Sequence, residues 1–184
     1  MIEDIIKYSY KLPIYRQVSW KKLWEEKLDY YEYQISELGL KYKTLRESFS
    51  YYSGLCECAI SLLGYTTSNV RMYSTYKRGR VIDSITRDIA EYVKHEFFYN
   101  DNVVQIEKLY LTSDEYILFM ARLLYPSYYF DIYDGIIQGK IKEDKIYNII
   151  KKNSQFELFL KNVYLYIRQK SNVPQIDWLY SNHL

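Results

Sequence analysis

Glycine and proline are scarce, with six and three copies in 184 residues. A barrel or sandwich needs tight turns at every corner, so this shortage excludes an all-β fold. Histidine is nearly absent. His95 falls mid-helix beside Glu96 and His183 lies near the end of the sequence, and each reads as a surface residue rather than a general base or ligand. Cys56 and Cys58 stand two apart in a helical stretch, where side chains at that spacing do not face each other. They read as small buried thiols that do not easily pair, since the spacing is not Cys-x-x-Cys and no histidine is near to complete a zinc site. No apolar run approaches the roughly 18 residues of a membrane span, and the start Met1-Ile2-Glu3-Asp4-Ile5-Ile6-Lys7 is unlike a signal peptide. The expectation is a cytoplasmic chain with no membrane partner.

What is present points to a packed helical domain. Hydrophobic residues make up 48%, which excludes intrinsic disorder, and the length suits one domain over 1–184. Twenty-five Lys+Arg against 23 Asp+Glu leave +2, so the overall charge names no partner. Tyrosine is abundant, at 24 copies. Its ring packs while its hydroxyl stays polar, although AT-rich codon usage accounts for the excess more simply.

Periodicity predicts helices over about Ser19–Leu38, Ser48–Leu63 and Ile85–Phe97, the first closed by Gly39 in a left-handed conformation and the second by Gly64. Thr112-Ser113-Asp114-Glu115 fits a capping box, in which the Thr hydroxyl and Glu carboxylate each take an orphaned backbone N–H, and the helix then runs to Leu124. Pro126 breaks it. Ser127 is positioned to cap a further helix ending at Gly139, a short helix follows over Glu143–Lys151, and Ser154-Gln155-Phe156-Glu157 reads as a second capping box. The tail from 175 to 184 is too apolar to stay in water and is expected to dock on the body. Between Gly64 and Val81 the helical pattern fails, leaving room for at most a short hairpin around 70–82. The fold class expected is mainly α, a compact helical bundle.

Candidate chemistry is sparse. There is no Gly-x-x-x-x-Gly-Lys-Ser/Thr and no Gly-x-Gly-x-x-Gly to cradle phosphates. Between Glu57 and Asp83 no acidic residue occurs, while Arg71, Lys77, Arg78 and Arg80 fall there, which makes an anion site or a merely solvated basic loop. Asp29 with Glu32, and Asp131 with Asp134, are carboxylate pairs at i, i+3, a spacing that ordinarily decorates a solvated helix face.

Four segments taken in order carry a resemblance: Trp20-Lys21-Lys22-Leu23-Trp24 with Asp29 to Gln34, Ser48 to Glu57, Arg87-Asp88-Ile89-Ala90-Glu91-Tyr92, and Ala121-Arg122-Leu123-Leu124-Tyr125-Pro126 through Tyr133. They resemble the helical lobe of spore-coat-associated, aminoglycoside-phosphotransferase-like proteins. The resemblance implies a protein-kinase-like C-terminal lobe, in which Asp88 matches a structural aspartate opening the helix behind the catalytic loop and Asp83 stands for a metal-binding one. The region Asn69 to Arg80, where that loop would fall, has neither His nor Asp, and the eighteen residues ahead of Ser19 are too few for a nucleotide-binding lobe. No catalytic residue, cofactor or metal is therefore expected. The resemblance implies a protein-binding module or self-associating chain, associated with the spore coat. Two rival readings are a phosphotransferase remnant holding a nucleotide or a phosphorylated small molecule through Asp83, Arg71 and Lys77, and nucleic-acid binding through Arg71 to Arg80.

Overall fold

The structure is a computed structural model that describes residues 20–65, 76–77, 80–107, 109 and 111–176. It is mainly α, as the periodicity predicts. Helix α1 spans Trp20–Leu38 and α2 Lys43–Leu63; a strand pair, β1 Tyr76–Lys77 and β2 Arg80–Val81, precedes α3 at Ile82–Tyr99. Helix α4 covers Ser113–Leu124 and α5 Ser127–Ile137; a 3-10 turn at Glu143–Ile146 leads into the short α6, Tyr147–Ile150, and α7 runs over Asn153–Lys170. The strands are antiparallel, with Tyr76 opposite Val81 and Lys77 opposite Arg80, inside the span expected for a hairpin.

Helix α4 is the centre. Nine of its twelve residues, Glu115 through Ala121 with Leu123 and Leu124, are buried, and a helix buried all round must be covered from several sides. Helices α2 and α3 pack on it most extensively, α1 packs on α2, and α7 also touches α4. The Thr112 hydroxyl accepts the Glu115 N–H at 3.3 Å, the cap that the local sequence predicts.

Other boundaries differ for physical reasons. Helix α2 begins at Lys43 rather than Ser48, because the Thr44 N–H is satisfied by Glu143 Oε1 at 2.8 Å, 99 residues away, and Leu45 is fully buried. Ser48 then sits inside the helix, with its hydroxyl on the Thr44 carbonyl. Ser154 is not a cap either, since α7 starts at Asn153 after Lys152, which makes no side-chain cap. Gly39 is not left-handed. It is glycine for space, as an added Cβ would lie 2.5 Å from the Ile35 carbonyl oxygen. Among the described residues the one glycine at positive φ is Gly139, at 75°, just past the end of α5.

Tyrosine builds the core itself. Tyr52, Tyr129, Tyr133 and Tyr164 are among the largest fully buried side chains, alongside Trp20 and Trp24. Rings stack in sequence from Trp24 on Tyr125 (4.5 Å), Tyr31 on Phe130 (4.4 Å), Tyr52 on Tyr129 (3.8 Å) and Phe98 on Tyr128 (3.8 Å). Such contacts add roughly 0.5–1.5 kcal/mol per pair beyond area burial. Several hydroxyls find partners: Tyr52 donates to Asn153 Oδ1, Tyr116 to the Leu109 carbonyl and Tyr31 to Asp134 Oδ2. The start of the tail is docked. Ile176 is buried, and the Tyr164 hydroxyl accepts its N–H while donating to the Pro174 carbonyl. Residues 177–184 lie outside the described residues.

Candidate functional site

A proline inside a helical run leaves an orphan carbonyl one turn back, because its nitrogen carries no hydrogen. Pro126 does this to Arg122 at the end of α4. The missing donor comes from α3: Lys94 Nζ donates to the Arg122 carbonyl at 2.7 Å and to the Tyr125 carbonyl at 2.8 Å. The same ammonium lies 2.8 Å from Glu91 Oε1 and 2.8 Å from Ser127 Oγ. Glu91 in turn accepts from Arg122 Nε at 2.7 Å and from the Ser127 hydroxyl at 2.8 Å. Ser127, which local sequence marks as a helix cap, is therefore held in this cluster instead, and the position before α5 is Pro126 with no side-chain cap.

Lys94 is 1% exposed, so its charge has no water to fall back on. Burial pushes its pKa down to about 8 against the opposing pull of Glu91, leaving it cationic at neutral pH. Burial raises the Glu91 carboxyl, but Lys94 and Arg122 outweigh it and hold the group at about 2. The Arg122 guanidinium lies over three rings, with its carbon 5.6 Å from Trp20, 5.7 Å from Trp24 and 5.4 Å from Tyr125. Three of the four segments that carry the resemblance meet at this corner, and the second reaches Tyr129 in the first turn of α5. Trp20 and Trp24 come from the first, Ser48 and Tyr52 (hydrogen-bonded to and stacked on Tyr129) from the second, Glu91 from the third, and Arg122 to Tyr129 from the fourth.

The sequence-predicted candidates lie elsewhere. Arg71 and Arg78 lie outside the described residues; Lys77 and Arg80 are placed only as backbone in the strand pair, and Asp83 only as backbone in the first turn of α3. Asp88 stands in the second turn of α3, inside the helix rather than at its opening, with Arg87 Nε 3.1 Å from its Oδ1. Asp134 is engaged by the Tyr31 hydroxyl at 2.9 Å, while burial, Glu91 and Asp134 raise the Asp131 carboxyl. Glu32 is exposed, and its carboxyl is raised by burial, Glu57 and Asp29. His95 is exposed, its ring 5.0 Å from that of Tyr99. Cys56 is buried, Cys58 is half-buried, and neither is in a disulfide; burial pushes the thiols up to about 12 and about 11.

Sequence reasoning missed the Lys94 cluster, although a signal existed. Lys94 falls in phase with Ala90 and Phe97 on the buried stripe of α3, and a cation there demands a buried partner.

The features together define a mainly α bundle with a charged corner in which Lys94 and Arg122 share the Glu91 carboxylate. Among the described residues no helix is long and apolar enough to cross a membrane, and no three His, Cys, Asp or Glu group to hold a metal. The chain is similar to the endospore coat-associated protein YutH of Bacillus subtilis (strain 168), at 26% identity over 206 residues covering 87% of this chain and 61% of that protein. It thus spans about three fifths of the length of the curated relative it matches. No family model and no solved structure matches.

Proposed function

We propose that the chain is a non-catalytic, protein-binding component of the spore coat, built as a degenerate kinase-like C-terminal lobe. One observation carries the binding reading. The buried Lys94 and the half-buried Glu91 are closed on each other, on Arg122, on Ser127 and on two backbone carbonyls, so this cluster holds the fold together rather than exchanging protons with a substrate. The setting comes from the similarity to an endospore coat-associated protein. The kinase-like part of the reading is supported by the contacts that the four resembling segments make around the end of α4 and the first turn of α5. That gives them a shared structural reason to occur together.

A fluorescent fusion of the chain, expressed in sporulating Bacillus subtilis, is expected to assemble around the forespore. Fluorescence that stays diffuse in the mother cell throughout sporulation overturns the coat assignment. Thermal melts with and without Mg-ATP are expected to coincide. A clear ATP-dependent stabilisation that Asp83→Asn abolishes replaces the module with a nucleotide-binding remnant.

A further inference from the structure

A groove of about 750 Å³ lies where the end of α3 meets α5 and the segment from Ile141 to Gln155. Its floor is apolar, made by buried Phe98 and Ile149 with half-buried Ile132 and Ile141. Its rim is cationic: Lys145 and Lys151 are exposed, and the half-buried Lys152 is paired with Asp101. Among the described residues Asp101 is the only carboxylate lining the groove, and Lys152 Nζ neutralises it at 2.6 Å. Three lysines against one aspartate leave the lining at +2.

The wall is preorganised. Lys152 Nζ also donates to the Phe98 carbonyl at 2.7 Å, tying the end of α3 to the start of α7. Asp101 holds φ at 50°, a left-handed conformation uncommon for a residue with a side chain, and the Asn102 N–H returns to the Glu96 carbonyl at 2.9 Å. A groove already held in shape loses less entropy when a ligand fills it.

We propose that this groove is the docking site for an acidic, apolar peptide segment of a protein partner, its carboxylates on Lys145 and Lys151 and its apolar side chain on the Phe98–Ile132 floor. The choice follows from charge and surface together. A phosphate or other small anion would meet the lysines and leave the isoleucine floor in water, whereas a neutral apolar segment would leave the lysines without counter-charge. The proposal rests on the reading of the chain as a protein-binding module and names the chemistry of its partner.

The test is an NMR titration of the full chain with a synthetic peptide in which glutamates alternate with leucine and phenylalanine. Amide shifts are expected to centre on Tyr99, Asn148 and Gln155. The Lys145→Glu, Lys151→Glu double variant, altered only at exposed positions, is expected to bind about tenfold more weakly. The control Lys22→Glu, on α1, is expected to bind as the parent does. Equal shifts from the glutamine counterpart of the peptide, equal shifts from inorganic phosphate, or binding indifferent to the charge reversal each overturn the proposal. If the titrations fail while the fluorescent fusion still encircles the forespore, the groove is wrong and the module reading stands. A diffuse fusion with intact peptide binding has the opposite meaning.

Discussion

Lys94 and Glu91 face each other one turn apart on α3 at 2.8 Å, and the ammonium of Lys94 also supplies the hydrogen bond that Pro126 cannot give to the Arg122 carbonyl. Fold and break are thereby linked. A proline is tolerated in the middle of the most buried part of the chain because a lysine from another helix completes the backbone there.

Removing Lys94 therefore does two kinds of damage. In Lys94→Met, Glu91 keeps only Arg122 and Ser127, and the Arg122 carbonyl loses its donor. We expect a loss of about 3–5 kcal/mol in urea unfolding. Combined with Glu91→Gln, the loss should fall short of the sum of the single losses by about 1–3 kcal/mol, the signature of two groups in one network. Strictly additive losses would show that the cluster is not a unit.

The same pair sets an acid limit. The Glu91 carboxyl titrates at about 2 in the folded chain, below its ordinary 4.5, because Lys94 and Arg122 favour its ionised form. A depressed carboxylate stabilises the fold fully above about pH 4.5. As pH falls from there toward about 2 the unfolded chain takes up the proton first and the stabilisation is lost. Urea midpoints at about pH 6, 4.5 and 3 should fall through this window, and Glu91→Gln should flatten that part of the decline. An unchanged slope in the variant would assign the acid sensitivity to other carboxylates.

How much of this was legible depends on whether the cause is local. The start of α4 is readable because Thr112 and Glu115 lie three residues apart, and the break at Pro126 because its chemistry acts on its own neighbours. The start of α2 is not, since its N–H partner is Glu143. Ser127 and Ser154 have the sequence of caps, yet the first is drawn into the Lys94 cluster and the second falls inside a helix that begins at Asn153. The groove at the end of α3 is invisible in sequence for the same reason: Lys152 reaches Asp101 across 51 residues.

Two tyrosines that look alike in sequence should behave oppositely. The Tyr133 hydroxyl is buried without a hydrogen-bond partner among the described residues, whereas Tyr52 donates to Asn153 Oδ1. Tyr133→Phe removes a desolvated group that gains nothing, so it should be neutral or stabilising by up to about 1 kcal/mol. Tyr52→Phe leaves Asn153 without its donor and should cost about 1 kcal/mol or more. Thermal melts of the two variants in parallel decide the point, and a destabilised Tyr133→Phe would mean that a water or unseen partner serves that hydroxyl.

Gly135 provides the sharpest reversal of sign. It lies within α5, where alanine would be preferred over glycine by about 1 kcal/mol on backbone grounds alone. The chain folds back over it, with the Lys140 and Ile141 N–H groups both donating to the Gly135 carbonyl, and this brings the Ile141 side chain down onto the helix. A Cβ at 135 would lie 2.8 Å from Ile141 Cγ1 and closer still to its terminal methyl. Overpacking of this kind costs roughly 1–3 kcal/mol, which exceeds the helix preference, so Gly135→Ala should lower stability. In an Ile141→Ala background the nearest of these atoms left is the Cβ at position 141, at 3.4 Å, an ordinary van der Waals distance. There the same substitution should raise stability by about 0.5–1 kcal/mol relative to Ile141→Ala alone. Denaturant midpoints of the four chains measure the reversal, and a Gly135→Ala penalty that persists without the isoleucine side chain would place the constraint in the backbone rather than in the contact.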